Sequence, residues 1–360
     1  MALKETLSPS LPQRQEQLFF HPEIGIERDY NRIYKQDIVE VGWPQGAMRV
    51  FEHLAKNHTV AIVGIMLGDE GKGRFVDTKL ESILAIPGVE MAIVVRFNGG
   101  NNSGHTVEGL DLHVVPSSIM HPQAVGIIDQ GMVVHPEDFI TEVGYVEEVA
   151  GDTRGKLFLS EKAIVCTDIE RAEEVLNRIK SGAAKGGTGR GVAPSYAHNL
   201  DRTGKRVSDL MAEDWRENFS KYYEQKQQDF SPYGMDLADV LVPDFKSSRQ
   251  NRRIIERPLG TKEEFLDRLE NARSWIIDRQ MVTNTFFMHE SMLQDMNKRG
   301  VIFEGAQAQG LHSWLGTFPD VTASDPSIAG IISGTALWRP QDIKERIGVL
   351  KVPYTSSVGV

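Results

Sequence analysis

The sequence predicts an α/β fold: one large, mainly parallel central sheet with crossover helices. Two observations carry this expectation. Residues 59–67 (TVAIVGIML) and 91–97 (MAIVVRF) are unbroken apolar runs, as expected of strands buried on both faces. Each run leads into a glycine-rich turn, and residues 75–84, between them, have a helical pattern with Lys79 and Glu81 on the wet side. Strand, turn, helix and strand in such close succession describe a parallel pair joined by a crossover.

The remaining elements follow in order. Residues 1–58 are polar and irregular, broken by Pro9, Pro12, Pro22 and Pro44. They are expected to form an N-terminal extension of unknown role, with one short helix at 48–57, ahead of a catalytic domain at 59–360. Further strands are expected at 126–128, 157–159, 300–303 and 348–352. Helices are expected at 168–181 and, in one or two pieces, across 262–298. Residues 229–257 contain Pro232, Pro243 and a basic run of Lys246, Arg249, Arg252, Arg253 and Arg257. That stretch reads as a solvated loop.

Composition narrows the function. The 360 residues carry 40 Lys and Arg against 50 Asp and Glu, a formal charge of −10. General nucleic-acid binding needs a basic face, so it is disfavoured. A single cysteine, Cys166, rules out an intrachain disulfide and a multi-cysteine zinc site. No apolar run approaches the ~18 residues of a membrane span. The N-terminus lacks an apolar signal core, and its acidic residues argue against a transit peptide. These features point to a soluble, cytoplasmic protein.

Four motifs bear chemistry. Gly68-Asp69-Glu70-Gly71-Lys72-Gly73 falls between a buried strand and a helix. Glycines let backbone N–H groups approach an anion, the helix start adds its positive end, and Lys72 supplies a charge for phosphate oxygens. The motif is P-loop-like, but Met66 and Gly73 depart from the strict pattern. Asn98-Gly99-Gly100-Asn101-Asn102-Ser103-Gly104-His105-Thr106 follows the second strand. In open α/β sheets ligands bind at that edge, where a histidine can donate to a phosphate. The third motif is Lys185-Gly186-Gly187-Thr188-Gly189-Arg190-Gly191-Val192-Ala193-Pro194, then Tyr196 and Arg202. It reads either as a phosphate lid or as a mobile surface loop. The fourth is Phe303-Glu304-Gly305-Ala306-Gln307, followed by Gly316-Thr317-Phe318-Pro319-Asp320-Val321-Thr322. Its amide and hydroxyl groups either read a base or cap backbone.

Together, and in this order, the motifs resemble those of the adenylosuccinate synthetase family: GDEGKG, GGNNxGHT, TGRGxGP, and FEGAQ followed by GTxPxVT. His113-Val114-Val115-Pro116-Ser117 is similar to that family's HLLPS stretch, and residues 352–359 to its KAYTTRVG strand. The resemblance implies a ligase that phosphorylates O6 of IMP with GTP and then joins aspartate at C6. It implies catalytic roles for Asp69, as the base at N1, for His105, as a general acid at the transferring phosphoryl group, and for Lys72. It implies nucleotide binding by Gly68, Glu70, Gly71, Lys72, Gly73 and Thr106. Mg²⁺ would be held by Asp69 and the Gly104 carbonyl. IMP would be held by Asn102, Thr188, Gln307 and Thr322, and by Arg202 reaching across a homodimer. The phage-type branch, joining aspartate to dGMP with ATP or GTP, is the alternative substrate reading. A catalytically dead nucleotide-binding protein is the other. Departures include Met66-Leu67 for Gln-Trp, Gly187 for Thr, Ala193 for Gly, and Ser356-Ser357 for Thr-Arg. The sequence stops at Val360, before the family's aspartate-binding and guanine-selecting segments, so the catalytic domain is expected to lack that C-terminal region.

Overall fold

The protein's computed structural model describes residues 58–107, 110–181, 187–251, 254–293, 298–336 and 338–351. Among the described residues, seven strands form the central sheet: β1 (Thr59–Gly64), β2 (Met91–Arg96), β3 (Ala124–Ile128), β4 (Leu157–Ser160), β5 (Val282–Thr283), β6 (Arg299–Ala308) and β7 (Glu345–Val349). Their spatial order is β5-β4-β3-β2-β6-β1-β7, and every pairing is parallel.

Both faces of this sheet are covered by apolar side chains. Val60, Ile62, Ala92, Val94 and Ile302 pack with Val76, Leu80 and Ile83 of the helix Lys72–Leu84. Ala61, Val63, Ile93, Val95 and Phe303 pack with Met288, Ile331 and Trp338. Alternate residues of one strand therefore meet two apolar layers, which is why β1 and β2 read as unbroken apolar runs. A third core joins the helices Pro136–Ala150, Asp168–Ser181, Trp215–Phe230 and Lys262–Asp278 through Phe139, Ile169, Phe219 and Phe265. No described helix is long and apolar enough to cross a membrane.

The expected strands are present with shifted ends. β1 stops at Gly64, because the chain turns toward the site before Leu67. The expected helix at 75–84 begins earlier, at Lys72. Residues 262–298 divide into Lys262–Asp278 and Thr285–Leu293 around β5, a strand too short to leave a pattern. The helices Pro136–Ala150, Val192–Asp201 and Trp215–Phe230 were not expected. The expected helix at 48–57 and residue 352 of the last expected strand lie outside the described residues.

Residues 229–257 are not a solvated loop. Leu241–Pro243 pairs antiparallel with Glu256–Pro258, bracketing the helix Phe245–Asn251. Arg257 Nη2 reaches Asp168 at 2.8 Å and Glu137 at 3.2 Å, and Arg249 Nη1 donates to the Asp111 carbonyl at 2.7 Å. Arg257 answers the buried Asp168 and the half-buried Glu137 at two helix starts, a demand that a local reading of charge does not register. Arg171 lies between Asp138 and Asp168, almost wholly buried. Burial alone would raise the Asp138 carboxyl, but Arg171 and His135 hold it below its ordinary range.

His198, on the helix Val192–Asp201, sits between Glu170 (3.5 Å) and Glu173 (3.2 Å), beside the Tyr222 hydroxyl and the Lys226 ammonium. Hydrogen bonds to the two carboxylates lift it from about 6.5 to about 9, against the smaller effect of burial. The stability this gives is complete below the unfolded value and is lost as pH rises through about 9. We expect denaturation midpoints to fall between pH 6.5 and 9, with His198→Gln flattening that slope; an unchanged slope in the variant removes His198 as its source.

Candidate functional site

β6 lies between β1 and β2, so the turns that leave β1 and β2 and the end of β6 meet at one edge of the sheet. A cavity of about 680 Å³ opens there, bordered by the Gly68–Gly73 turn, by Asn102, Gly104 and His105, and by Glu304 and Gln307. This is the carboxyl edge, where parallel α/β sheets place ligands.

The Gly68–Gly73 turn is fastened from beneath by Glu70. Its buried carboxylate accepts from Gly68 N at 2.8 Å and Met66 N at 3.2 Å, and pairs with Lys72 Nζ at 2.7 Å. Gly64 leaves room for it: a Cβ there would lie 2.5 Å from Glu70 Oε2 and 2.7 Å from the Gln307 carbonyl. Asp69 takes a left-handed conformation, φ 51°, and its carboxylate stays exposed. Lys351 Nζ donates to both its Oδ2 and its carbonyl at 3.1 Å. The helix Lys72–Leu84 starts after Gly71, φ 84°, with no side chain capping its first turn. A helix start of this kind offers backbone N–H groups to an anion.

His105 opens a short hairpin, His105–Val107 against Leu110–Leu112. Its Nδ1 lies 3.3 Å from Arg96 Nη1, and its Nε2 lies 3.4 Å from Glu304 Oε1. Register brings these partners together, because Glu304 of β6 pairs with Arg96 of β2. Burial is the largest influence on the imidazole and lowers it to about 4; Glu304 opposes this, while Arg96, His113 and Lys72 add to it. His105 is therefore neutral at neutral pH. Burial raises the Glu304 carboxyl, but His105, Arg96 and the bonds from Ser117 outweigh it and hold it low. Ser117 donates to it from both N (3.0 Å) and Oγ (2.7 Å).

Asn98 extends the sheet with its side chain, accepting from Ala306 N at 2.9 Å and donating to the Ala306 carbonyl at 3.1 Å. Just there the register shifts: Ile62 faces Glu304, but Gly64 faces Ala308. The bulged segment of β6 carries Gln307 at φ 57° and turns it toward the second motif. Gln307 Nε2 donates to Asn102 Oδ1 at 3.3 Å, its Oε1 accepts from Ser324 Oγ at 2.8 Å, and Ser324 Oγ lies 3.2 Å from Thr322 Oγ1. Asn102, Gln307 and Thr322 thus form one polar network. Thr188 and Arg202 are exposed and do not line the cavity. The third motif touches the second through Tyr196, whose hydroxyl accepts from Gly99 N at 3.0 Å and donates to the Gly131 carbonyl at 2.7 Å.

Arg96, Ser324 and Lys351 had no place in the sequence reading, and Glu304 and Ser117 were assigned no role. The available signal was charge in apolar context: Arg96 ends a buried strand, and Glu304 sits within another.

The fold and cavity define an open parallel α/β protein with its site at the strand carboxyl ends. Residues 61–360 match the family model described as adenylosuccinate synthetase. The adenylosuccinate synthetase of Halothermothrix orenii is 33% identical over 303 residues, covering 83% of this chain and 63% of that protein. That of Bifidobacterium animalis subsp. lactis is 34% identical over 306 residues, with the same two coverages, 83% and 63%. The structure of fully ligated adenylosuccinate synthetase from Plasmodium falciparum aligns with a TM-score of 0.65 at 27% identity, over 81% of this chain and 61% of that one. The chain belongs to the adenylosuccinate synthetase family, and it spans less than two thirds of the length of these relatives.

Gly64→Ala tests the fastening of the turn. The methyl must displace either Glu70 or the Gln307 backbone. We expect a loss of about 1–3 kcal/mol in chemical denaturation, as for overpacked sites; a stability equal to that of the parent chain contradicts the contact.

Proposed function

We propose that this chain is a purine nucleotide ligase that joins aspartate to C6 of IMP at the expense of GTP, giving adenylosuccinate, GDP and phosphate. The observation that supports it best is that Asp69, Lys72, His105 and Gln307 all border one cavity. Asp69 takes the N1 proton, and O6 attacks the γ-phosphorus as the bond to GDP breaks. The aspartate amine then adds at C6, and phosphate leaves with the O6 oxygen. His105, neutral and half-buried, serves the first step as a hydrogen-bond donor to the phosphoryl oxygens. Lys72 divides its charge between Glu70 and the incoming phosphates. Asn102, Gln307 and Thr322 hold the monophosphate substrate, with Thr188 added when its loop approaches.

Mg²⁺ fits the donors present: the exposed Asp69 carboxylate and Gly104 both border the cavity, and carboxylate and carbonyl oxygens are the hard ligands this ion takes. When bound it neutralises charge on the triphosphate. Two other groups, His135/Glu137/Asp168 and Glu170/Glu173/His198, are close enough to share an ion but do not line the cavity. Arginines or Lys226 already balance their charge. We place the reaction in the cytoplasm and in a homodimer, where Arg202 of one subunit serves the other's site.

Turnover assays with IMP or dGMP, each with GTP or ATP and aspartate, test the reading. Adenylosuccinate is the expected product. Product from dGMP alone moves the assignment to the phage-type reaction, and nucleotide binding without product supports a dead enzyme. Asp69→Asn should lower turnover by ~10²–10⁴-fold, the usual cost of losing a positioned base, with little change in nucleotide affinity. Mixing inactive Arg202→Ala dimers with inactive Asp69→Asn dimers should restore one intact site per mixed dimer. Mixed dimers confirmed by mass but without activity reject the shared site.

A further inference from the structure

We propose that Arg96 and Glu304 are positioning residues that lock His105 in its Nε2–H tautomer and direct that proton at the phosphoryl group. The tautomer stands on the hydrogen-bond geometry alone; the phosphoryl acceptor rests on the function proposed above.

Arg96 is the fixed partner of the ring. Its guanidinium is buried, 1% exposed, and held by bonds from Nη2 to the His113 carbonyl at 3.1 Å and Ser103 Oγ at 3.2 Å. That leaves Nη1 facing His105 Nδ1 at 3.3 Å. A guanidinium has only donors and keeps its protons in proteins. Nδ1 must therefore be the acceptor, with its lone pair turned to Arg96. A proton on Nδ1, in the other tautomer or in the imidazolium, would set N–H against N–H at this distance. The one form compatible with Arg96 is neutral, with the proton on Nε2.

Glu304 faces the other nitrogen. Ser117 anchors its carboxylate from below, at 3.0 Å and 2.7 Å, and Arg96 Nη1 stands 3.6 Å from Oε1. Oε1 is 3.4 Å from Nε2, close enough to attract the proton, yet Nε2 is buried with no aligned hydrogen bond. A buried N–H left in this state is costly unless a partner arrives. His105 borders the cavity, so the missing acceptor is an oxygen of the bound ligand. The β2–β6 register fixes both neighbours, since Arg96 and Glu304 are directly paired across it.

The test is a long-range ¹H–¹⁵N correlation spectrum of the ¹⁵N-histidine-labelled chain at neutral pH, with the His105 ring assigned by its loss in His105→Gln. The expected pattern has Nε2 protonated and Nδ1 bare. A protonated Nδ1, or a ring averaging between tautomers, overturns the lock. Arg96→Lys keeps a donor and should preserve the pattern, whereas Arg96→Met should give averaging. If Arg96→Met does not fold, the parent spectrum still decides. Glu304→Gln keeps the shape and removes the charge. We expect kcat to fall about tenfold or more, because the charge that favours the proton on Nε2 is lost, with the KM for each nucleotide within about twofold. Unchanged kcat, or losses confined to KM, removes Glu304 from this role. The spectrum reads the tautomer without turnover, so failure of the ligase reading and failure of the lock are separate results.

Discussion

The site depends on one constraint, the insertion of β6 between β1 and β2. Consecutive strands joined by a crossover usually lie side by side, but here the crossover from β1 to β2 leaves a gap that β6 fills much later in the chain. The gap sets three consequences at once. It places Glu304 beside Arg96, it brings the Gln307 bulge between two glycine-rich turns, and it gives Asn98 a backbone to pair with. None of these contacts is local in sequence. A chain that formed the β1–β2 pair directly would keep both turns and lose the residues that join them.

Buried charge is the second organising element, and among the described residues several buried groups meet an opposite charge directly. Arg171 answers Asp138 and Asp168, Arg257 and Arg268 add to Asp168, and Arg96 answers Glu304. Such pairs contribute little net stability, because desolvation offsets much of the attraction, but removing one partner leaves an uncompensated charge. Their effect is geometric. Arg171 ties together the starts of the helices Pro136–Ala150 and Asp168–Ser181, while the Arg96–Glu304 pair fixes the ring of His105.

Periodicity made the doubly covered strands legible, because a strand buried on both faces has nowhere to hide its pattern. β1 and β2 were visible for that reason. β5, only Val282–Thr283, carries too few residues for any pattern, and the helix Trp215–Phe230 mixes buried Tyr222 and Tyr223 with many charges. The four motifs were legible by residue type and spacing, the roles of Asp69, His105, Asn102 and Gln307 only through the family resemblance, and these four and Lys72 do share a cavity. The basic run misled, because charge read along the chain gives no sign that Arg257 faces Asp168 across 89 positions. Lys351 was invisible for the same reason, lying 282 positions from Asp69.

The balance of charge at the cavity mouth bears on how an anion is held there. The Gly68–Gly73 turn carries two acids, Asp69 and Glu70, and each already has a lysine: Lys351 for the first and Lys72 for the second. A polyphosphate therefore does not meet two idle cations. Glu70 is the fixed member, because two backbone N–H groups hold it beneath the turn and Gly64 leaves it space. Asp69 is the exposed member, attached through a lysine that is itself partly exposed. Exposed pairs of this kind are weak and easily exchanged, whereas the Glu70 contacts would have to break together. An arriving ligand should thus rearrange Asp69 and Lys351 first and leave Glu70 in place. The residue assigned as the base is, by this reasoning, the one part of the turn whose environment the ligand itself completes.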